Sequence, residues 1–253
     1  MSAGKVLFWP IEFTLSSYEF ALLGGKFMRA FFISMERVVL GVCTNMVMIT
    51  LFAYPLSKSR EKFRGRNLYM IYFVTTMIIG GGLIPTYLVV VKLGLLNSLW
   101  ALILPGMMPV GSGVMLMNFM RQMPQDIEEA AIIDGAGVFY RLVRVLLPLL
   151  KPALATMALF SIVGHWNDWF GGMIYMQSPD RYPLQTYLQT LLTNIDQILR
   201  LVGTGDYNLI VGMINARTGR AAQLFLGAFP MLAIYPFLQK YFVKGLVIGS
   251  IKG

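Results

Sequence analysis

The residues best equipped for polar chemistry lie side by side. His165, the single histidine of the chain, is followed by Trp166, Asn167, Asp168 and Trp169 inside an otherwise apolar stretch. Indole faces stack on rings that carry hydroxyls, and amide and carboxylate groups hydrogen-bond those hydroxyls, so the cluster could line a path for a hydroxyl-rich solute. Asn45 and Asn118, also set in apolar runs, are further candidates for that path. Polar and ionisable groups at membrane depth usually face a bundle interior or an aqueous cavity. The competing reading is structural: hydrogen bonds between helices for Asn45 and Asn118, and anchoring near the end of a span for the tryptophans. One histidine has too few neighbours for a metal site. The chain has no Gly-x-x-x-x-Gly-Lys-Ser/Thr phosphate loop, no Gly-x-Ser-x-Gly elbow and no His-Glu-x-x-His pair, so it offers neither a nucleotide site nor a familiar hydrolytic centre. The run Gly80–Gly82 has no following Lys-Ser or Lys-Thr and reads as a close helix crossing or a hinge.

These residues must be positioned by elements that lipid surrounds. Of 253 residues, 57% are hydrophobic and 13% charged, and mean hydropathy is +0.65. A water-soluble domain of this size ordinarily carries about twice that charge. Five stretches reach the roughly 20 apolar residues that a helix needs to cross the hydrocarbon: 38–57, 68–91, 96–120, 153–176 and 222–243. The expected fold is therefore an all-α, polytopic helical membrane bundle. Pro85, Pro105, Pro109, Pro230 and Pro236 inside these stretches predict kinks.

Charge gives the orientation. The net charge of +9 does not gather on one polar face as a nucleic-acid site would require. The loop after the first span holds Lys58, Arg60, Lys62, Arg64 and Arg66 against Glu61 alone, which places it in the cytoplasm. Counting onward, the segment 121–152 lies inside, 177–221 outside, and the C-terminus, with Lys240, Lys244 and Lys252, inside. Residues 1–37 then form an extracytoplasmic lead-in, with Glu36 and Arg37 pairing with each other or with headgroups just outside the first span. This segment has no signal-peptide pattern, since its start is polar and Pro10, Glu12 and Glu19 interrupt it, so a sixth, N-terminal span is expected to be missing; the alternative is that the first span alone orients the chain, drawn by the basic 58–66 loop. Within 177–221, Leu184, Tyr187, Leu188, Leu191, Leu192, Ile195, Ile198 and Leu199 share one face of an amphipathic helix, too polar to span.

The inner loop 121–152 carries the most ordered pattern. Pro124 with Asp126, Glu128 and Glu129 should open a short helix, because negative charge suits its N-terminus. Ala130, Ala131, Ile132 and Ile133 continue it, and Asp134-Gly135-Ala136-Gly137 should bend or end it. A second helical stretch from Val138 to Leu147 meets Pro148, and Pro152 opens the next span. The result is a short knob held off the membrane. Its small residues admit a close partner and its acids can meet a basic groove.

The order Glu129-Ala130-Ala131, three residues, Gly135, nine residues, Val145-Leu146-Leu147-Pro148 resembles the EAA signature of binding-protein-dependent ABC importer permeases. The run from Glu129 through Asp134-Gly135-Ala136 is similar to the sugar-importer form. Gly81-Gly82-Leu83-Ile84-Pro85-Thr86-Tyr87, Gly164-His165-Trp166-Asn167 and the stretch from Tyr235-Pro236 to Lys244-Gly245 resemble the second permease subunit of carbohydrate importers, as does Trp9-Pro10 through Tyr18. The resemblance implies a type I ABC importer fold in the bacterial cytoplasmic (inner) membrane. It implies coupling to an ATPase through the 125–137 helix, with Glu128, Glu129, Ala130, Ala131, Asp134, Gly135 and Ala136 as the contact residues. ATP and Mg would be bound by that partner, with no cofactor in this chain. The implied partners are two copies of a cytoplasmic ATPase, a second homologous permease subunit and an extracytoplasmic solute-binding protein. The closest branch handles complex oligosaccharides, including uronic-acid polymers such as alginate. Two other classes stand beside it: an ion-coupled secondary carrier, which should show inverted repeats, and an integral-membrane enzyme on lipid-linked sugars, which should show a catalytic cluster beyond His165 and Asp168.

Overall fold

The computed structural model describes residues 25–201 together with 18, 221–222, 224–230 and 232–233. Among these, one helix is long and apolar enough to cross a bilayer without interruption: α1, Lys26–Ser57. Gly25, at φ +63, sets its start. The helix thus begins twelve residues before the stretch 38–57 read from hydropathy, and it takes Glu36 and Arg37 into its body. Two charges in succession argue against a span, but only one has to be buried. Arg37 faces inward and Glu36 outward.

The stretches 68–91 and 96–120 are helical, and each is bent. Arg66–Ile78 (α2) and Leu83–Lys92 (α3) meet at 108° across the glycine run, with Gly82 at φ +80. Leu99–Ile103 (α4), prolonged by a 3₁₀ turn Leu104–Gly106, meets Val110–Arg121 (α5) at 51°. Pro105 and Pro109 flank that break, and each removes a backbone N–H from the ladder. Gln125–Ile133 (α6) follows. Val138–Leu149 (α7) contains a π turn, Arg141–Leu146, where Pro148 withholds the N–H that the Arg144 carbonyl would accept. A turn of 83° at Leu150 leads into Lys151–Asn167 (α8). The stretch 153–176 is not one helix. It breaks at Asp168 and Trp169, and Phe170–Tyr175 (α9) completes it. Leu184–Leu201 (α10) is the expected amphipathic helix. Of the stretch 222–243, residues 234–243 lie outside the described residues, and those described between 221 and 233 are helical.

Three apolar clusters hold the bundle. The largest packs Ile49 and Phe52 of α1 against Leu116 and Met117 of α5, Leu142 and Leu146 of α7, and Met157 of α8. Here α5 comes close because Gly113 lacks a side chain. A Cβ there would sit 2.6 Å from the Phe52 ring. At the other end of α1, Phe27 and Ala30 pack on Trp166, Leu184 and Leu188. A third cluster joins Val90, Ala101, Leu102, Tyr175 and Met176. The entry to α10 is pinned by hydrogen bonds from the Leu184 N–H to Ser34 Oγ (2.7 Å) and from Thr186 Oγ1 to the Trp169 carbonyl (2.9 Å). By contrast α2 buries no residue. Leu68, Ile71 and Ile78 are more than half exposed, as suits a helix covered by lipid or by another subunit.

Candidate functional site

Between α1, the α4–α5 bend and α8 lies a half-open cavity of about 400 Å³. Its polar lining is Arg37, Asn45, Ser112, Ser161, His165 and Asp168, and Tyr175 and Phe160 add aromatic surface. Three of the six path candidates from the sequence, Asn45, His165 and Asp168, therefore meet in one place. The other three do not. Trp166 is 3% exposed and belongs to packing: its Nε1 donates to the Gly227 carbonyl (3.2 Å) and its ring stands edge-on to Phe31. Successive helical residues point about 100° apart, and Trp166 and Asn167 are turned away from the cavity that Gly164 and His165 line. Asn167 lines a separate groove with Gln185, Leu224 and Leu232. Asn118 is exposed on α5 and does not line the cavity.

Arg37 is the residue that sequence reasoning misplaced. It does not pair with Glu36 or face headgroups. Its guanidinium is 3% exposed and ion-pairs with Asp168, whose carboxylate is 36% exposed. Nη1 also donates to the Asp168 carbonyl (2.9 Å), and Nη2 donates to the Leu102 carbonyl (3.4 Å). The second Asp168 oxygen accepts from the Gly171 N–H at 2.9 Å and holds the chain as α8 gives way to α9. A buried cation is tolerated only when paired and hydrogen-bonded, and Asp168 meets that requirement from 131 residues away. The available signal was that α1 holds an arginine and α8 ends in an acid.

His165 packs against α1 at Gly41. A Cβ on Gly41 would lie 2.6 Å from its Cε1, so only glycine fits. Asn45 Nδ2 lies 2.9 Å from Ser161 Oγ and 3.3 Å from His165 Nε2. Turning the amide over gives it more partners, namely the Met107 carbonyl at 3.1 Å and the Ser161 hydroxyl as donor. The cavity wall is mostly apolar but carries the Ser112 and Ser161 hydroxyls, the Asn45 amide, the His165 imidazole and the Asp168 carboxylate, and its one cation, Arg37, is already paired.

The second site is α6. It starts after Pro124 with Asp126 and Glu128 in its first turn. It ends where Gly135 adopts φ +75, a conformation costly for any residue with a Cβ. The Gly135 N–H donates to Ile132 (3.0 Å) and the Ala136 N–H to Ala131 (2.9 Å), closing a Schellman-type cap. Asp126, Glu129, Ala130, Ile132, Ile133, Asp134 and Gly135 are exposed, while Ala131 and Ala136 are half-buried. Ile133 is 85% exposed, and Val138, Phe139 and Tyr140 continue the apolar surface.

Glu128 points the other way. Lys58, just past α1, donates to both its oxygens (2.6 and 2.5 Å), and Tyr54 Oη donates at 3.4 Å. Arg141 of α7 stands 3.8 Å off as an ion-pair partner, while its Nη1 donates to the Ala136 carbonyl (2.9 Å). Burial pulls the Lys58 amine below the ordinary lysine value, and the Glu128 carboxylate opposes that pull. Among the described residues no cluster of three His, Cys, Asp or Glu side chains could hold a metal ion.

Residues 45–248 match the family described as binding-protein-dependent transport system inner membrane component. The chain belongs to that family. It is similar to the protein LplC of Bacillus subtilis, with 39% identity over 97% of this chain and 81% of the relative. It is also similar to a B. subtilis polygalacturonan/rhamnogalacturonan transport system permease protein, YtcP, with 34% identity over 98% and 85%. Among solved structures it resembles a chain in the crystal structure of a bacterial ABC transporter involved in the import of the acidic polysaccharide alginate. There the TM-score is 0.84 at 28% identity, covering 95% of this chain and 84% of that one. The chain is accordingly an ABC importer permease of the inner membrane, with a type I importer fold, and not an enzyme. An importer of this kind works with an ATPase and a solute-binding protein. The secondary-carrier and lipid-linked-sugar enzyme readings give way to the permease.

Proposed function

We propose that this permease moves an oligosaccharide bearing uronic acids, and that α6 takes the force of a partner ATPase. The observation that carries the reading is the exposed face of α6, a capped helix presenting Glu129, Ala130, Ile133 and Asp134 at the end of the bundle marked by the basic loop 58–66. Acid and apolar side chains on one small convex surface suit a cleft that is basic at its rim and apolar within. The names of YtcP and of the alginate transporter support the substrate class, and the serine, asparagine and aspartate groups set in the cavity wall can meet hydroxyls.

In this reading residues 121–152 are the cytoplasmic coupling loop and 177–221 the outer loop, and the C-terminus is cytoplasmic. A second homologous permease subunit completes the path. Two ATPase copies bind ATP and Mg, and an extracytoplasmic binding protein delivers the solute. Because Arg37 already has its counter-ion, recognition of the solute's carboxylates falls to the binding protein, and the cavity handles hydroxyls.

The test is reconstitution of the complete complex in vesicles. Uptake of an oligouronate that needs ATP on the ATPase side and binding protein on the other is the expected result. Uptake driven by an ion gradient without ATP would end the reading. Equal uptake of neutral and uronate oligomers would overturn the substrate class alone.

A further inference from the structure

Glu128 and Glu129 are neighbours in the same motif, yet they face opposite ways. Glu129 is exposed. Glu128 and Lys58 have side chains only 18% and 16% exposed, joined by two short hydrogen bonds. The Lys58 amine also lies 4.2 Å from the centre of the Tyr54 ring. Arg141, itself 16% exposed, closes the group from α7 and holds the Ala136 carbonyl of the Gly135 turn. Beside them Arg121, at the end of α5, donates to the Leu56 carbonyl of α1 at 2.8 Å. Four elements therefore meet at the last turn of α1.

The other end of that connection is equally defined. Arg37, Gly41 and Asn45 of the same α1 touch Asp168, His165 and Ser161 around the cavity. At about 1.5 Å rise per residue, Ser57, the neighbour of Lys58, and Arg37 stand about 30 Å apart on α1. This helix runs on without a bend, with Pro55 confined to its last turn, unlike the three bent pairs around it. Such an element shifts as a unit, whereas a bent pair can absorb displacement at its break.

We infer that Glu128 is not a docking residue but a positioning residue: with Lys58 it clamps α6 to α1, so that α1 carries displacement of α6 to the cavity. The inference rests on α6 being the ATPase contact, as proposed above, and reassigns one residue of that contact. The ion pair is largely shielded from solvent, a setting in which loss of one partner strands the other.

The experiment is a charge exchange in the complete complex, read as ATPase activity with and without binding protein, as uptake, and as ATPase co-purification. Glu128→Lys and Lys58→Glu are each expected to lower uptake and binding-protein stimulation at least ten-fold while basal ATPase activity changes less than two-fold. The double exchange, in which the new Glu at 58 also faces Arg141, is expected to recover at least a third of both. Should the single variants fail to assemble, recovery of assembly by the double exchange gives the same support. A double variant no better than the singles would overturn the clamp, because a Glu128 that met the ATPase directly gains nothing from a change at Lys58. Single variants with unchanged stimulation and uptake would overturn it as well. Glu129→Lys in parallel separates the two readings. If it too leaves uptake normal, the proposed role of α6 falls. If it abolishes uptake while the Glu128 variants behave as wild type, only the clamp falls.

Discussion

The cavity and the α6 knob solve opposite problems. In the cavity, polar groups sit in apolar surroundings and satisfy one another across great separations in sequence: Arg37 with Asp168, and Asn45 with Ser161 116 residues on. In the knob, the residues are consecutive, and apart from Glu128, which turns back to Lys58, Tyr54 and Arg141, most of them face outward. The first arrangement is largely paired within the chain, with Arg37 Nε its one buried donor left over. The second is left incomplete, as a surface that expects another protein must be. The difference teaches that an ordered, contiguous polar motif marks a contact with another molecule, and that a scattered polar set converging at depth marks an internal one.

The comparison breaks most sharply if the knob tolerates distortion. Gly135→Pro is expected to abolish uptake, by more than ten-fold in reconstituted vesicles. Proline fixes φ near −65° where φ is +75, and it removes the N–H that Ile132 accepts. Thermal stability of the permease itself should change little, since α6 buries no residue. A large loss of stability together with uptake would make the knob part of the core.

Next in size is Arg37→Met, which strands Asp168. Breaking a buried pair costs about 3–5 kcal/mol. The 36% exposure of Asp168 reduces that to about 2 kcal/mol, measurable as a lower unfolding midpoint in detergent. Arg37→Met combined with Asp168→Asn, whose amide oxygen can still accept from the Gly171 N–H, should restore most of it. A single variant as stable as wild type would deny the cavity this internal pairing.

Gly41→Ala forces the His165 ring to move and should cost about 1–3 kcal/mol as overpacking. With His165→Ala the two losses should fall short of their sum by about 1 kcal/mol or more. Strict additivity would mean that the ring does not rest on α1. The smallest effect is expected at Asn118→Ala. That side chain is exposed and outside the cavity, so stability should shift by less than about 0.5 kcal/mol. A large drop in uptake from this change would extend the path beyond the cavity.

Most of the knob was legible in sequence, because helix signals are local. Pro124 and the acids opened it, Gly135 closed it, and the cap formed as those residues require. The amphipathic period over 184–200 likewise gave α10 directly. The bends were half legible. Gly80–Gly82, Pro105 and Pro109 announced breaks, but no local rule sets angles of 108° or 51°. Least legible was the cavity. Reading Arg37 as an interfacial residue followed from its adjacency to Glu36, and nothing nearby revealed that its counter-ion lay in α8. Trp166 and Asn167 were candidates for the path because indole and amide groups suit hydroxyl-bearing rings, and the sequence does not say which side of α8 faces this cavity.

Consider, finally, what Gly41 means for descent. Every coding change that replaces a glycine adds at least a methyl group, and here that group would strike the imidazole. A change in one step is disfavoured. A lineage leaves glycine at 41 at least cost once a smaller side chain has come to occupy 165, so the two codons should tend to change in that order.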